Sequence, residues 1–231
     1  MNSSKDLVSV LLSTYNSEST IKRAINSLIE QSYEEIEILI MDDASNDNSY
    51  DICKNFEKGY TNIRVYKNHE NLGLTRSLNL LIKEAKGAYI ARQDADDFSH
   101  ELRIEKQIEF LNSSNIHACT TRAKIINTER VIPNLSFFVS PKLTIKYKNP
   151  FIHGSLLIRS EILNRLNNYD ERFYYAQDYK LMKDLLINGY KAKIMKQAFY
   201  YLNMENNIST NFSDEQNYYA NCVRKNLTPT R

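Results

Sequence analysis

From Leu7 to Asp94, four β-rich apolar runs alternate with three segments of helical periodicity, and only short connections separate them. The runs are LVSVLLS (7–13), IEILIMDD (36–43), IRVYKN (63–68) and AYIARQD (88–94). The first is apolar without a break, as expected of a strand buried on both faces. Between the runs, Ile21, Ile25, Leu28 and Ile29 share one helical face behind Ser17 or Ser19 as a cap. Ile52, Cys53 and Phe56 point inward from a helix over 48–56. Leu74, Leu78, Leu81 and Ala85 form a third face, with Gly87 as the stop. Alternation this strict predicts a Rossmann-like α/β fold, a mostly parallel sheet covered by helices.

After Asp97 the pattern loosens. A helix fits 100–112 on Leu102, Ile104, Ile108 and Leu111, and HACTTRAKII (117–126) reads as a strand. Residues 128–150 carry Pro133, Pro141 and Pro150 and no clear period. HGSLLIRS (153–160) reads as a strand, AQDYKLMKDLLING (176–189) as a helix ended by Gly189, and KAKIMKQA (191–198) as a last strand. No repeat or biased linker interrupts the chain. One domain is expected over 1–210, with 211–231 a tail or short helix. Tyr218, Tyr219 and Cys222 lie on one side of that helix, which packs on the core or, alternatively, lies on a membrane surface.

Charge and cysteine usage remove several classes. Lys and Arg number 30 against 28 Asp and Glu, so no polyanion is implied and no nucleic-acid partner is expected. Cys53, Cys119 and Cys222 are far apart and odd in number, which argues against a disulfide framework or a zinc site. The N-terminal stretch lacks the apolar run of a secretory signal, and no window is long enough to span a bilayer. A soluble, cytoplasmic protein is the expectation.

Two acidic clusters fall after strands: Asp42-Asp43 after the second run, and Asp94-Ala95-Asp96-Asp97 after the fourth. In open α/β sheets, ligands bind outside the carboxyl ends of the strands, so both clusters should share one rim. Asp42-Asp43 alone reads first as a solvated turn, and Asp97 could cap the following helix. The Asp94–Asp97 cluster is harder to explain without a ligand, because carboxylates this close raise one another's pKa unless a cation offsets the repulsion. Mg²⁺ or Mn²⁺ prefers such oxygen ligands and keeps positions for water and phosphate oxygens.

The full set of motifs is more specific than either cluster. VSVLLSTYNSES, MDDASNDNS, NLGLTRSLN, GAYIARQDADD, NPFIHGS and AQDYKLMKDLL occur in one order across residues 6–210. In this the chain resembles glycosyltransferase family 2, the inverting, nucleotide-sugar-dependent enzymes of GT-A fold. The resemblance implies that Ser13, Thr14, Tyr15 and Asp43 hold the nucleotide, the carboxylate accepting a uracil N–H and the ring stacking on the base. It also implies that Asp94 and Asp96 carry the metal, with Asp94 near the nucleotide. Asp178, after Gln177, falls where the family has its general base. Read by itself, Asp178 is a first-turn carboxylate favoured by the helix dipole. His153 and Gln177 fall where the substrate or diphosphate passes, and for His153 a structural hydrogen bond is the equal alternative. Arg103 and Gln107 should support the loop. One departure stands out: Leu202 and Met204 occupy places where similar members carry Arg and His.

The resemblance thus implies an enzyme that moves a sugar from a UDP-sugar to a hydroxyl of a saccharide or lipid-linked acceptor, in bacterial surface polysaccharide synthesis. Peripheral contact with the inner face of the cell membrane would go with such an acceptor. Two other classes share the acidic rim. A nucleotidyltransferase would more often show a glycine- and base-rich loop where STYNSES stands, and a non-catalytic sugar-nucleotide binder would fit the missing Arg and His.

Overall fold

The structure, a computed structural model, describes residues 6–204 and 213–230. Strands β1 (Val8–Thr14), β2 (Ile36–Asp42), β3 (Ile63–Lys67) and β4 (Tyr89–Asp94) alternate with helices α1 (Ile21–Ile29), α2 (Ser49–Gly59) and α3 (Leu74–Glu84). They pair in parallel in the order β3-β2-β1-β4. The remainder comprises β5 (Phe98–Ser99), α4 (Arg103–Ser114), β6 (Ala118–Ile125), β7 (Val131–Ile132), α5 (Pro141–Thr144), β8 (Leu157–Arg159), α6 (Ser160–Arg165), α7 (Gln177–Ile187), β9 (Ala192–Leu202) and α8 (Ser213–Lys225). These strands extend the sheet as β4-β8-β6-β9-β5, with β7 paired to β6. β8 is antiparallel to β4 and β6, while the long β6–β9 ladder is parallel and shifts register between Thr121 and Ala123.

The apolar runs explain this layering. Val8, Val10 and Leu12 of β1 pack with Ile21, Ile25, Ile104 and Leu111 on one side of the sheet. Leu11 and Leu39 pack with Leu78, Leu81, Leu181 and Leu185 on the other. Each central strand is buried on both faces, which is why its sequence is continuous rather than alternating. α8 packs onto the second layer through Tyr219, Cys222 and Val223, so the core, not a lipid surface, takes its apolar side. The 210/211 boundary lies outside the described residues. All three cysteines are free and buried.

Several local expectations are corrected. Neither Ser17 nor Ser19 caps α1 with its side chain: the helix starts after Thr20, and the Ser17 hydroxyl donates instead to the Tyr15 carbonyl. α3 ends at Glu84, before Gly87. Gly87 serves a close approach to β1, because a Cβ there would lie 2.5 Å from the Ser9 nitrogen. HGS forms a 3-10 turn (His153–Ser155), leaving only Leu157–Arg159 as strand. Asp97 does not cap α4: its Oδ1 accepts the Asn203 N–H at 2.6 Å. Gly189 does end α7 as expected, in the left-handed region at φ +83°.

Candidate active site

Register brings the strand ends level. Thr14 lies opposite Asp42, and Ser13 opposite Asp94, so both acidic clusters sit on one rim on either side of β1. The loops leaving β1 and β2 are tied to each other. The Asn16 N–H donates to the Ser45 hydroxyl, the Ser17 N–H to the Ser49 hydroxyl, and the Asn46 N–H to the Asn16 side chain. Tyr15, between these tied residues and Thr14, is half exposed. Thr14 is buried and its hydroxyl has no partner.

The first cluster is built into the protein. Asp42 is sealed and accepts the Ser45 N–H. Asp43 is buried, and its two oxygens accept the Asn68 amide (2.6 Å), the Leu72 N–H (2.9 Å) and the Gly73 N–H (2.8 Å). Four lone-pair directions less three donors leave one for a ligand. The 72–73 turn held this way lies under Tyr174, whose ring is 2.5 Å from where a Gly73 Cβ would stand, and Gly73 has φ +82°. A side chain there would have to displace the Tyr174 ring and would be strained by the left-handed backbone.

The second cluster is arranged differently. Asp94 Oδ1 accepts Arg92 Nη2 at 2.6 Å, and its Oδ2 lies against Gly154, where a Cβ would come within 2.5 Å. Its N–H donates to the Tyr200 hydroxyl at 3.1 Å. Arg92 is buried and also donates to the Leu11 carbonyl. Asp96 is half buried, and burial followed by the charge of Asp94 pushes its pKa up to about 6. Asp97 is fully buried, and burial with the charges of Asp94 and Asp96 pushes it up to about 9. Of the three carboxylates only Asp94 has an ion-pair partner, Arg92, while the more distant charge of Arg23 eases Asp96 and the Asn203 N–H serves Asp97. No group of three or more His, Cys, Asp or Glu side chains poised to hold a metal occurs among the described residues. Asp94 and Asp96 nevertheless fit one side of a divalent-ion site: hard oxygens, short of positive charge, with Asp96 protonating too readily without it.

Asp178 stands in the first turn of α7, and the charge of Asp94 adds to burial in raising its pKa. The residue before the helix pair, Ala176, is buried in the left-handed region at φ 54°, a costly conformation for alanine. Asn149 Nδ2 donates to Asp178 Oδ2 at 2.7 Å, while Asn149 Oδ1 accepts the Phe151 N–H at 3.1 Å. That second bond fixes which way the amide faces. Burial raises the Asp178 pKa, partly offset by the Tyr179 N–H and the Asn149 amide. Gln177 is buried beside it. His153 Nε2 pairs with the Tyr169 hydroxyl at 2.8 Å, and burial followed by Arg92 holds its pKa well below the ordinary range, so the ring is neutral.

Arg103 and Gln107 support the rim from below. Arg103 donates to the carbonyls of Arg92 and Gly154, and Gln107 to that of Ser155. Leu202 ends β9 and Met204 is exposed, while Asn203 between them closes onto Asp97. The sequence reading missed Arg92, Asn149, Tyr169 and Tyr200. Arg92, charged inside an apolar strand, was the one signal available. A cleft of about 450 Å³ lies beside the rim, between the stacked rings of Phe98 and Tyr201 and the Lys124–Glu129 hairpin. The claim of the rim to be a site rests on its chemistry.

The family model for glycosyl transferase family 2 matches residues 9–182. The UDP-Glc:alpha-D-GlcNAc-diphosphoundecaprenol beta-1,3-glucosyltransferase WfaP of Escherichia coli is 30% identical over 190 residues, covering 81% of this chain and 73% of that protein. The glycosyltransferase MJ1057 of Methanocaldococcus jannaschii, itself uncharacterized, is 31% identical over 201 residues, 84% of this chain and 69% of its own. Among solved structures, S. aureus TarS 1–349 with UDP-GlcNAc superposes with a TM-score of 0.75 at 22% identity, covering 87% of this chain and 59% of that one. The mannosyltransferase PcManGT from Pyrobaculum calidifontis, with GDP-Man and Mn²⁺, gives 0.79 at 18% identity over 98% of this chain and 66% of its own. The fold is GT-A, shared with both. The chain spans about three fifths of the TarS fragment.

Proposed function

The chain belongs to glycosyl transferase family 2, and from that premise we propose an inverting transfer of a hexosyl or N-acetylhexosaminyl group from a UDP-sugar. The acceptor is a hydroxyl of a saccharide or of a lipid-linked saccharide, in bacterial surface polysaccharide synthesis. A cytoplasmic location goes with this reading. WfaP, whose name specifies a UDP-Glc donor and a diphosphoundecaprenol-linked acceptor, supports that choice of substrates.

The observation that carries the reaction is the Asn149–Asp178 pair, which fixes a carboxylate at the start of α7. The acceptor oxygen attacks the anomeric carbon as the bond from that carbon to the diphosphate breaks. The electron pair leaves on the diphosphate, and the acceptor proton goes to Asp178. Attack opposite the leaving group inverts the centre, through an oxocarbenium-like transition state. Tyr15 stacks on the base, and Asp43 offers its one open lone pair to the uracil N–H. Ser13 and Thr14 complete the nucleotide wall. Asp94 and Asp96 would hold Mn²⁺ or Mg²⁺, which when bound would supply positive charge against the diphosphate. The neutral His153, fixed by Tyr169, and the buried Gln177 shape the sugar side of the rim.

The test is Asp178→Asn, which keeps the side-chain shape and removes the proton acceptor. Transfer should fall about 10²–10⁴-fold with donor affinity nearly unchanged. Near-parental turnover in the folded variant would sink the mechanism. Incubation of the parent with a panel of nucleotide sugars and Mn²⁺, scored by nucleoside diphosphate release, identifies the donor. Binding without release in every case would favour the non-catalytic reading, for which Leu202 and Met204 are the motive.

A further inference from the structure

Eleven large apolar side chains are exposed among the described residues, and five of them fall in thirteen consecutive positions: Leu135, Phe138, Val139, Leu143 and Tyr147. Leu135, Phe138 and Tyr147 are 80%, 79% and 75% exposed, far beyond the solitary surface leucine that needs no explanation. The same stretch is basic. Between Glu129 and Glu161 the sequence has no acidic residue, but it carries Lys142, Lys146 and Lys148, all exposed, besides Arg130 and Arg159.

The geometry around α5 explains how such a surface stays outward. Helical hydrogen bonding runs on past Thr144, with the N–H groups of Tyr147 and Lys148 both donating to the Thr144 carbonyl. Leu143 and Tyr147 are therefore four apart on one face, and Lys142 and Lys146 four apart beside them. Thr144 and Ile145 are buried, Ile145 in the core layer of α7 and α8. The Tyr179 hydroxyl of α7 donates to the Ile145 carbonyl at 2.7 Å, and Arg224 of α8 donates to the Tyr147 carbonyl at 3.2 Å. Asn149, one turn on, is the partner of Asp178. The patch is thus clamped to the elements that carry the candidate base.

We propose that residues 135–148 form a membrane-docking surface for an anionic bilayer, with Leu135, Phe138, Val139, Leu143 and Tyr147 entering the interface and Lys142, Lys146 and Lys148 at the headgroups. Apolar and aromatic side chains flanked by lysines, on an element too short to span, are the chemistry of an interfacial contact. A second copy of this chain is disfavoured as the occupant, because three like charges would meet three like charges across a self-complementary interface. α8, whose apolar side is spent on the core, is not the contact. The surface does not depend on the transfer reaction, though it would bring Asp178 to a lipid-linked acceptor if the proposed function holds.

Vesicle co-sedimentation of the full chain tests it, with phosphatidylglycerol-containing vesicles against phosphatidylcholine alone. Binding is expected to the anionic vesicles and to weaken with salt. Lys142→Gln/Lys146→Gln/Lys148→Gln should lower partitioning on the order of a hundredfold. Phe138→Ser/Leu143→Ser should lower it at least tenfold, with an unchanged melting temperature because both sites are exposed. The proposal is overturned if the parent stays in solution with both vesicle types, if the apolar variant binds as the parent does, or if the parent sediments as a dimer that Phe138→Ser/Leu143→Ser dissociates without any vesicle binding. Donor turnover in solution, measured in parallel, is expected to be unaffected in both variants, so failure of docking and failure of the transferase reading are separable.

Discussion

Asp42-Asp43 and Asp94–Asp97 end neighbouring parallel ladders on one rim, yet they do different work. The first cluster is largely satisfied from within: Ser45, Asn68, Leu72 and Gly73 bring it donors, Asp42 Oδ1 being the one oxygen without a partner, and a turn takes its shape from Asp43. In the second only Asp94 has an ion-pair partner, Arg92, and Asp96 and Asp97 hold protons above the ordinary carboxylate range although Arg23 and the Asn203 N–H partly offset this. Acidic residues after a strand therefore carry no fixed meaning. What separates a structural cluster from a ligand site is whether the protein itself supplies the compensating donors.

The largest effect expected from this contrast is at Asp96. Asp96→Ala should abolish Mn²⁺-dependent UDP binding while leaving the melting temperature near that of the parent, because a rim carboxylate with a raised pKa supports no fold. In the parent, the proton competes with the cation, so Mn²⁺-dependent binding should weaken as pH falls through about 6. Calorimetry across that range, on parent and variant, reads both. Equal UDP affinity in Asp96→Ala at saturating Mn²⁺ would erase the distinction between the clusters.

The rim's asymmetry was only partly legible in the sequence. β1 to β4 are continuous apolar runs bounded by polar turns, so periodicity and length locate them without tertiary information. Beyond Asp97, β5 and β7 are two residues each: β5 pairs with the distant Tyr200 and Tyr201, and β7 with Ala123 and Lys124 across a short hairpin. No local pattern specifies such strands. The motif residues were visible because the family resemblance marks them, but their supports were not. Asn149 reaches Asp178 across 29 residues and Tyr200 reaches Asp94 across 106, contacts that only the folded chain creates.

The second effect is at Asp43, where structural and ligand roles overlap. Asp43→Ala strips the acceptor from three donors and should destabilise the protein by about 2–3 kcal/mol, the scale of hydrogen bonds to a charged group. UDP binding should weaken as well, and pyrophosphate binding much less, because the turn shapes the base side of the rim. Thermal melting and calorimetry with the two ligands separate these contributions. A variant that melts with the parent but loses UDP would make Asp43 purely a ligand residue, and the two clusters would be alike after all.

The smallest effect runs in the opposite direction. Asp97 is buried without a cation of its own, and its pKa of about 9 lies above the unfolded value of 3.8. An acid of that kind binds protons more tightly in the native state than in the unfolded one. Stability is fully present below the unfolded value and declines as pH rises from about 3.8 toward about 9. Asp97→Asn removes that titration yet keeps an oxygen for the Asn203 N–H. At pH 8 the variant should therefore be more stable than the parent, by at least about 1 kcal/mol or roughly 2–4 °C in a chain of this size. At pH 4 the gain should nearly vanish, because the parent carboxyl is then protonated in the native state and close to half protonated in the unfolded one. Saturating Mn²⁺ should narrow the difference at pH 8 by restoring positive charge to the cluster. Melting curves at the two pH values decide the matter. Equal or lower stability of Asp97→Asn at pH 8 would mean that the second cluster is compensated within the protein, as the first one is.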